Sequence, residues 1–346
     1  MKKVYSVLLL AILLILGACS NETGNTSPNG DTNGDGGSNG DVKTMRMAVA
    51  TPEERSLTQG LYRFAEIVER ETNGSIEVEV YPNGQLGGDR EVFEGLQFGS
   101  IQGTTISTGP VAQFAPRFTV FDFPFLFPTA EIAYEILDGP IGEELLNDLP
   151  DQGVIGLNYW ENGFRHLTNN VREVATIDDI RGLDIRTLEN DLHIDFWREL
   201  GANPTPMAFT ELFTGLQQGV VDGQENPVGN VTTTNFYEVQ DYITKTNHIY
   251  NASLFMISEA FWNTLTDEEK EIITIAADEA RDYQRELNQQ EDIEAFAFLE
   301  EEGMTITELT DEEFEKFFEA VTPVYEKYSS RIGEEFVNQL LEAIQQ

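Results

Sequence analysis

Cations are scarce in this 346-residue chain, with 21 Lys and Arg against 61 Asp and Glu, so the few well-placed arginines can be followed one by one. Arg186 ends the run Gly182-Leu183-Asp184-Ile185-Arg186, in which residues 183–187 read as a strand. Arg165 ends Gly163-Phe164-Arg165, just beyond a strand expected over 154–160. Open α/β sheets place their ligands at the carboxyl ends of strands. An arginine there offers a planar fork of donors that matches a carboxylate in two charge-assisted bonds, and it stays charged when water is expelled. The bland alternative is that each arginine pairs with one of the many acids. Asn226 precedes Pro227, which biases it toward an extended connection, its amide either meeting a ligand or capping a turn.

Other chemistry is missing. The chain has no Gly-x-Ser-x-Gly elbow, no Gly-x-x-x-x-Gly-Lys loop and no Gly-x-Gly-x-x-Gly between strand and helix. His166, His193 and His248 are far apart in sequence and lack ligand spacing, so they read as structural, with no metal or cofactor implied. Acidic residues abound, yet no spacing singles out a catalytic pair. A net charge of -40 excludes nucleic acid as a partner and reads as a solvated surface.

The elements that must position these residues begin after a leader. Lys2 and Lys3, an apolar run over 7–16 and Leu16-Gly17-Ala18-Cys19 read as a lipoprotein signal peptide over 1–19, with Cys19 lipidated. As Cys19 is the one cysteine, no internal disulfide can form. Residues 20–41, rich in Gly, Asn, Ser, Thr and Asp, read as a flexible tether. Strands are expected over 45–49, 76–80, 154–160, 183–187 and 220–222, and helices over 57–68, 191–200 and 210–218, with a short helix capped by Asp89. Strand-helix-strand order implies a parallel α/β sheet. Thr266-Asp267-Glu268-Glu269 is a capping box that opens a helix reaching about Glu301, long enough to brace two lobes, and Thr310-Asp311-Glu312-Glu313 repeats the device.

The runs Ala202-Asn203-Pro204-Thr205-Pro206-Met207-Ala208-Phe209 and Gly219-Val220-Val221-Asp222-Gly223-Gln224-Glu225-Asn226-Pro227 carry a resemblance. With Tyr81-Pro82-Asn83-Gly84-Gln85-Leu86-Gly87-Gly88-Asp89-Arg90, Gly163-Phe164-Arg165, Gly182-Leu183-Asp184-Ile185-Arg186 and Phe236-Tyr237-Glu238-Val239-Gln240 in order, the folded chain resembles the solute receptors of tripartite ATP-independent (TRAP) transporters, of the C4-dicarboxylate and sialic-acid type. The resemblance implies a two-lobed, periplasmic-binding-protein-like α/β fold with a hinge and a long helix spanning both lobes. Lobe I would comprise 42–162 and 252–290, and lobe II 163–251 and 291–346.

It further implies that Arg186 makes the defining ion pair with the ligand carboxylate, that Arg165 and Asn226 are further contacts, that Phe209 walls the pocket and that Asp89 is a polar contact from the first lobe. Ser107 stands where the sialic-acid receptors place a glutamate, among Thr104, Thr105 and Thr108, which argues against sialic acid and leaves a uronate, another sugar acid or a C4-dicarboxylate. Trp160 joins the ligand-binding set, its indole either lining the cleft or packing. The implied partners are a small organic carboxylate and the small and large membrane subunits of a permease. The implied state is a monomer, lipid-anchored at the outer face of the cytoplasmic membrane and not an enzyme. A ligand-presenting sensory receptor and a secreted enzyme acting on a carboxylated sugar are the rival classes; the enzyme would need an acid and a base in the cleft.

Overall fold

A computed structural model describes residues 42–345; the leader, Cys19 and the tether lie outside the described residues. Ten strands form the sheet: β1 Lys43–Ala48, β2 Ile76–Tyr81, β3 Gly103–Ser107, β4 Val154–Asn169, β5 Asp184–Thr187, β6 Asn203–Pro206, β7 Gly223–Pro227, β8 Tyr242–Lys245, β9 Tyr250–Ser258 and β10 Thr305–Glu308. Their order is β2-β1-β3-β9-β4-β7-β5-β6, with β8 joining β4 to β10. Two lobes arise because β4 changes partners along its length. Residues 154–164 pair with β9, and residues 165–169 pair with β7 and β8.

The sheet is mixed, not parallel as strand-helix-strand order predicts. β1 runs parallel to β2 and β3, and β5 to β6 and β7, but β9 enters antiparallel between β3 and β4. Every residue of β9 is buried, so it shows none of the alternation that betrays a half-exposed strand. The strand expected over 220–222 begins instead at Gly223, and Asn226 therefore sits in a ladder rather than in a connection. Two prolines are tolerated in β6 because it is an edge strand.

The helix Ser56–Glu71 (α1) buries Leu57, Leu61, Phe64 and Val68 on the first-lobe sheet. In the helix Asp89–Gln97 (α2), Gly88 rather than Asp89 is the N-cap. The Glu91 carboxylate accepts from the Gly88 N–H at 3.0 Å, and Asp89 becomes the first helical residue. The Thr266 box forms as expected, Glu269 N–H donating to the Thr266 hydroxyl (3.2 Å) and Thr266 N–H to the Glu269 carboxylate (2.7 Å).

The helix it opens, Asp267–Glu301, has 35 residues and meets both lobes. Its buried face is apolar at Ile273, Ala276, Ala277 and Ala280, polar at Gln284, Arg285 and Asn288, and apolar again at Ala295 and Leu299. The first apolar stretch joins the core of α1, Trp160 and Phe255, and the second joins that of Leu212, Val228, Phe236 and Ile243. The polar middle lies where β4 crosses between lobes. There Gln284 grips the Glu161 peptide on both sides, accepting from its N–H (2.9 Å) and donating to its carbonyl (2.6 Å). A bulge at Asn162 and a φ of +109° at Gly163, a conformation that favours glycine, redirect the strand at that point.

The helices between 311 and 344 pack on the Pro116–Leu137 region and on Asp191–Glu199, through Phe317, Val324, Tyr328 and Leu340. Among the described residues no helix is long and apolar enough to cross a membrane.

Candidate functional site

Where β4 leaves the first lobe, a narrow cleft opens at the carboxyl ends of β1, β3 and β7. Five of the seven residues expected to bind ligand line it together: Arg165, Asn226, Phe209, Asp89 and Ser107. Each arrives by a different route. Arg165 and Asn226 come from neighbouring antiparallel strands, with Arg165 paired to Pro227 and His166 to Asn226. Phe209 opens the helix Phe209–Gln217 and rests edge-on against Phe236 at 6.0 Å. Asp89 opens α2, and Ser107 ends β3.

Arg186 lies beside this cleft, on β5 between β7 and the edge strand β6, where it pairs with Gln224 of β7. It is 1% exposed. Its Nε donates to the Met207 carbonyl at 2.8 Å, while Nη1 is buried with no hydrogen-bond partner among the described residues. Burial pulls its pKa down to about 10, against the opposing pull of Glu225 and Asp89. A buried cationic donor without an acceptor is expensive, and an anion is its natural complement.

Arg165, by contrast, is already paired. Its Nε and Nη2 engage the Glu225 carboxylate, and its Nη1 donates to Asn251 Oδ1 at 2.9 Å. Burial alone would raise the Glu225 carboxyl. The Arg165 guanidinium, with the His193 and His248 rings close by, holds it well below the usual carboxylate range instead. His248 Nε2 lies 3.0 Å from Glu225 Oε2, and His193 Nδ1 lies 3.6 Å from Oε1. Two histidines remote in sequence thus converge on one carboxylate behind the cleft; among the described residues no His, Cys, Asp and Glu grouping could hold a metal ion.

Trp160 does not line the cleft. It packs in the first-lobe core, stacked on Phe255 at 5.0 Å and seated against Gly60, with its Nε1 donating to Asn158. On a strand with both faces buried, an inward and a cleft-facing indole look alike in sequence.

Several residues went unseen in the sequence. Asn162, the bulge residue, donates to Ser107 Oγ (3.1 Å) and Asn251 Oδ1 (3.0 Å). Its own oxygens accept from Arg55, a fully buried arginine whose fork also reaches Asn230, Ser56, Asn288 and Glu291. Nothing in the run Pro52-Glu53-Glu54-Arg55 marks that arginine, because its partners other than Ser56 are distant in sequence. Thr105, Ser253 and Asn230 also line the cleft.

The Asp89 carboxyl is raised to about 6, chiefly by burial, with Arg186 opposing. A carboxyl raised above its unfolded value of 3.8 weakens the fold progressively as pH climbs from about 4 to 6, and fully above that. Asp89→Asn is therefore expected to raise the melting point of the ligand-free protein at pH 7.5 and to leave it unchanged at pH 3.5. Melting curves across that range check this, and a constant offset at all pH values would contradict it.

A wider groove runs between α1 and the long helix, lined by Glu66, Glu279, Asp282 and Glu286 among others. Its carboxylates would repel an anion.

Residues 47–331 match the family model described as bacterial extracellular solute-binding protein, family 7. A C4-dicarboxylate-binding protein DctB of Bacillus subtilis is 35% identical over 281 residues, covering 81% of this chain and 80% of that protein. The sugar acid binding protein DctPAm of Advenella mimigardefordensis, solved with galactonate, is similar at a TM-score of 0.86 and 40% identity, covering 88% of this chain and 99% of that one. A TRAP periplasmic solute binding protein of Polaromonas, bound to D-erythronate, gives a TM-score of 0.84 and 35% identity over 86% of this chain and 98% of that one.

Proposed function

Since the chain belongs to family 7 of the bacterial extracellular solute-binding proteins, the extracytoplasmic receptors of TRAP transporters and not enzymes, we propose that its cleft captures a small organic carboxylate on Arg186. The observation that carries this reading is the buried, unpartnered Nη1 of Arg186 beside a cleft lined by Arg165 and Asn226. A carboxylate oxygen there accepts from Nη1 in a charge-assisted bond, and a pocket shielded from water strengthens the pair. Arg165, held in place by Glu225, adds positive field, and the Asn226 amide adds a neutral contact. Phe209 forms a wall, and Asp89 meets a polar group of the ligand. C4-dicarboxylates, uronates and other sugar acids are the ligand class, in keeping with what the relatives are named for or hold.

Closure moves lobe I (42–162 and 252–290) against lobe II (163–251 and 291–346) about the β4 crossing, with the C-terminal helices spanning the junction. The loaded receptor delivers its ligand to a permease of small and large membrane subunits. It acts as a monomer, lipid-anchored through Cys19 by the 20–41 tether at the outer face of the cytoplasmic membrane, a geometry that keeps it near that permease. A thermal-shift screen of dicarboxylates, uronates, aldonates and keto acids tests the binding step. One class should raise the melting point by mass action, and no shift from any carboxylate would overturn the reading.

A further inference from the structure

We propose that Thr105 and Ser253 form a hydroxyl-reading wall that makes this receptor prefer a polyhydroxylated monocarboxylate over a dicarboxylate. The inference rests on the carboxylate-receptor reading above and adds the chemistry of the ligand's other end. The hydroxyl-rich stretch 104–108 looks uniform in sequence, but its members divide in the structure. Thr104 Oγ1 donates to the Ala48 carbonyl at 2.7 Å and Thr108 Oγ1 to Asp122 at 2.8 Å, so both are engaged by the fold. Ser107 Oγ donates to Asn251 Oδ1 at 3.1 Å and accepts from Asn162 Nδ2 at 3.1 Å, which uses its proton. Thr105 is different, because its Oγ1 lines the cleft, buried, with no partner among the described residues.

Ser253 repeats the pattern. It too lines the cleft with a buried, unpartnered Oγ. The antiparallel register of β3 and β9 sets Ser107 opposite Ser253 and Thr105 opposite Phe255, so Thr105 and Ser253 are diagonal neighbours on one face. Two orphaned hydroxyls side by side in a ligand cleft call for a ligand that both donates and accepts there.

The surrounding charge decides which ligand group that is. Strands β9, β4 and β7 separate β3 from β5, so these hydroxyls and Arg186 stand on opposite flanks of the cleft. Among the described residues lining the cleft the charged side chains are Arg165 and Asp89. Arg55, the nearby buried cation, has its fork engaged by Asn162, Asn230, Asn288 and Glu291. A second carboxylate on the hydroxyl side would meet neutral groups and no free cationic donor, and desolvating it there is costly. A chain of hydroxyls carries no such cost and satisfies both orphans.

Calorimetric titration with erythronate, galactonate and succinate tests this, using the wild-type protein, Thr105→Val, Ser253→Ala and Arg186→Ala. The wild type should bind at least one aldonate about tenfold or more tightly than succinate. Each hydroxyl deletion should reduce that aldonate-to-succinate preference by roughly 5- to 150-fold, because a site built around a ligand hydroxyl discriminates through the partner it leaves unpaired. Deleting an orphan should leave the melting point of the free protein equal or higher, whereas a purely structural hydroxyl would lower it. Succinate binding tightest, or an unchanged preference in both deletions, overturns the inference while leaving the receptor reading intact. Aldonate binding that survives Arg186→Ala, or no binding by any of the three acids, overturns the receptor reading and this inference with it.

Discussion

Glu225→Ala is expected to cost about 3–5 kcal/mol of folding stability, because it strips the counter-ion from a guanidinium that has nowhere else to go. Arg165 and Glu225 are both fully buried. The carboxylate takes the Arg165 Nε and Nη2 and also stands against His193 and His248. Removing it leaves a charged fork with Asn251 as its remaining side-chain partner and leaves two histidines facing a void. Urea denaturation of the ligand-free protein reads the effect. The Glu225 carboxyl lies well below its ordinary value, so its contribution is fully present above the unfolded value of 4.5 and is lost as pH falls through its lower folded value. The gap between wild type and variant should therefore narrow in strong acid. A cost below 1 kcal/mol would mean that water reaches the guanidinium.

Arg186→Ala should do the opposite. Binding of the preferred acid should fall by roughly 30- to several-thousand-fold, the range that follows from removing one partner of a buried charge pair. The free protein should keep its melting point or gain, since the side chain that is removed holds a buried donor without a partner and is pulled toward neutrality by burial. Arg186→Lys should not restore affinity, because an ammonium cannot reproduce the planar fork. The two substitutions thus separate a residue that holds the site together from one that holds the ligand. Calorimetry and melting curves on the same preparations read both quantities.

Residue type and spacing made the outline legible. The capping box at Thr266 announced the long helix, and the alternation over 76–80 announced β2, because each is a local device with a local signature. What stayed hidden depends on pairing across the chain. β9 is buried on both faces and lacks alternation. β7 carries Gln224, Glu225 and Asn226 in a buried ladder where a polar run reads as a turn. The site divides along the same line. Arg186, Arg165 and Asn226 lay in recognisable runs, whereas the engagement of Arg165 by Glu225, the Arg55 network and the division of the hydroxyls into engaged and free members are contacts between residues tens to hundreds of positions apart. Trp160 shows the converse failure, a residue of suitable type next to the cleft segment whose side chain faces the core.

The most direct test of the central claim is a crystal structure of the protein with the carboxylate that gives the largest thermal shift. The expected result is one carboxylate oxygen about 2.7–2.9 Å from Arg186 Nη1, within reach of Arg165 and Asn226, and ligand hydroxyls turned toward Thr105 and Ser253. A carboxylate bound away from Arg186, or one turned toward those hydroxyls with Nη1 still unpartnered, would contradict it.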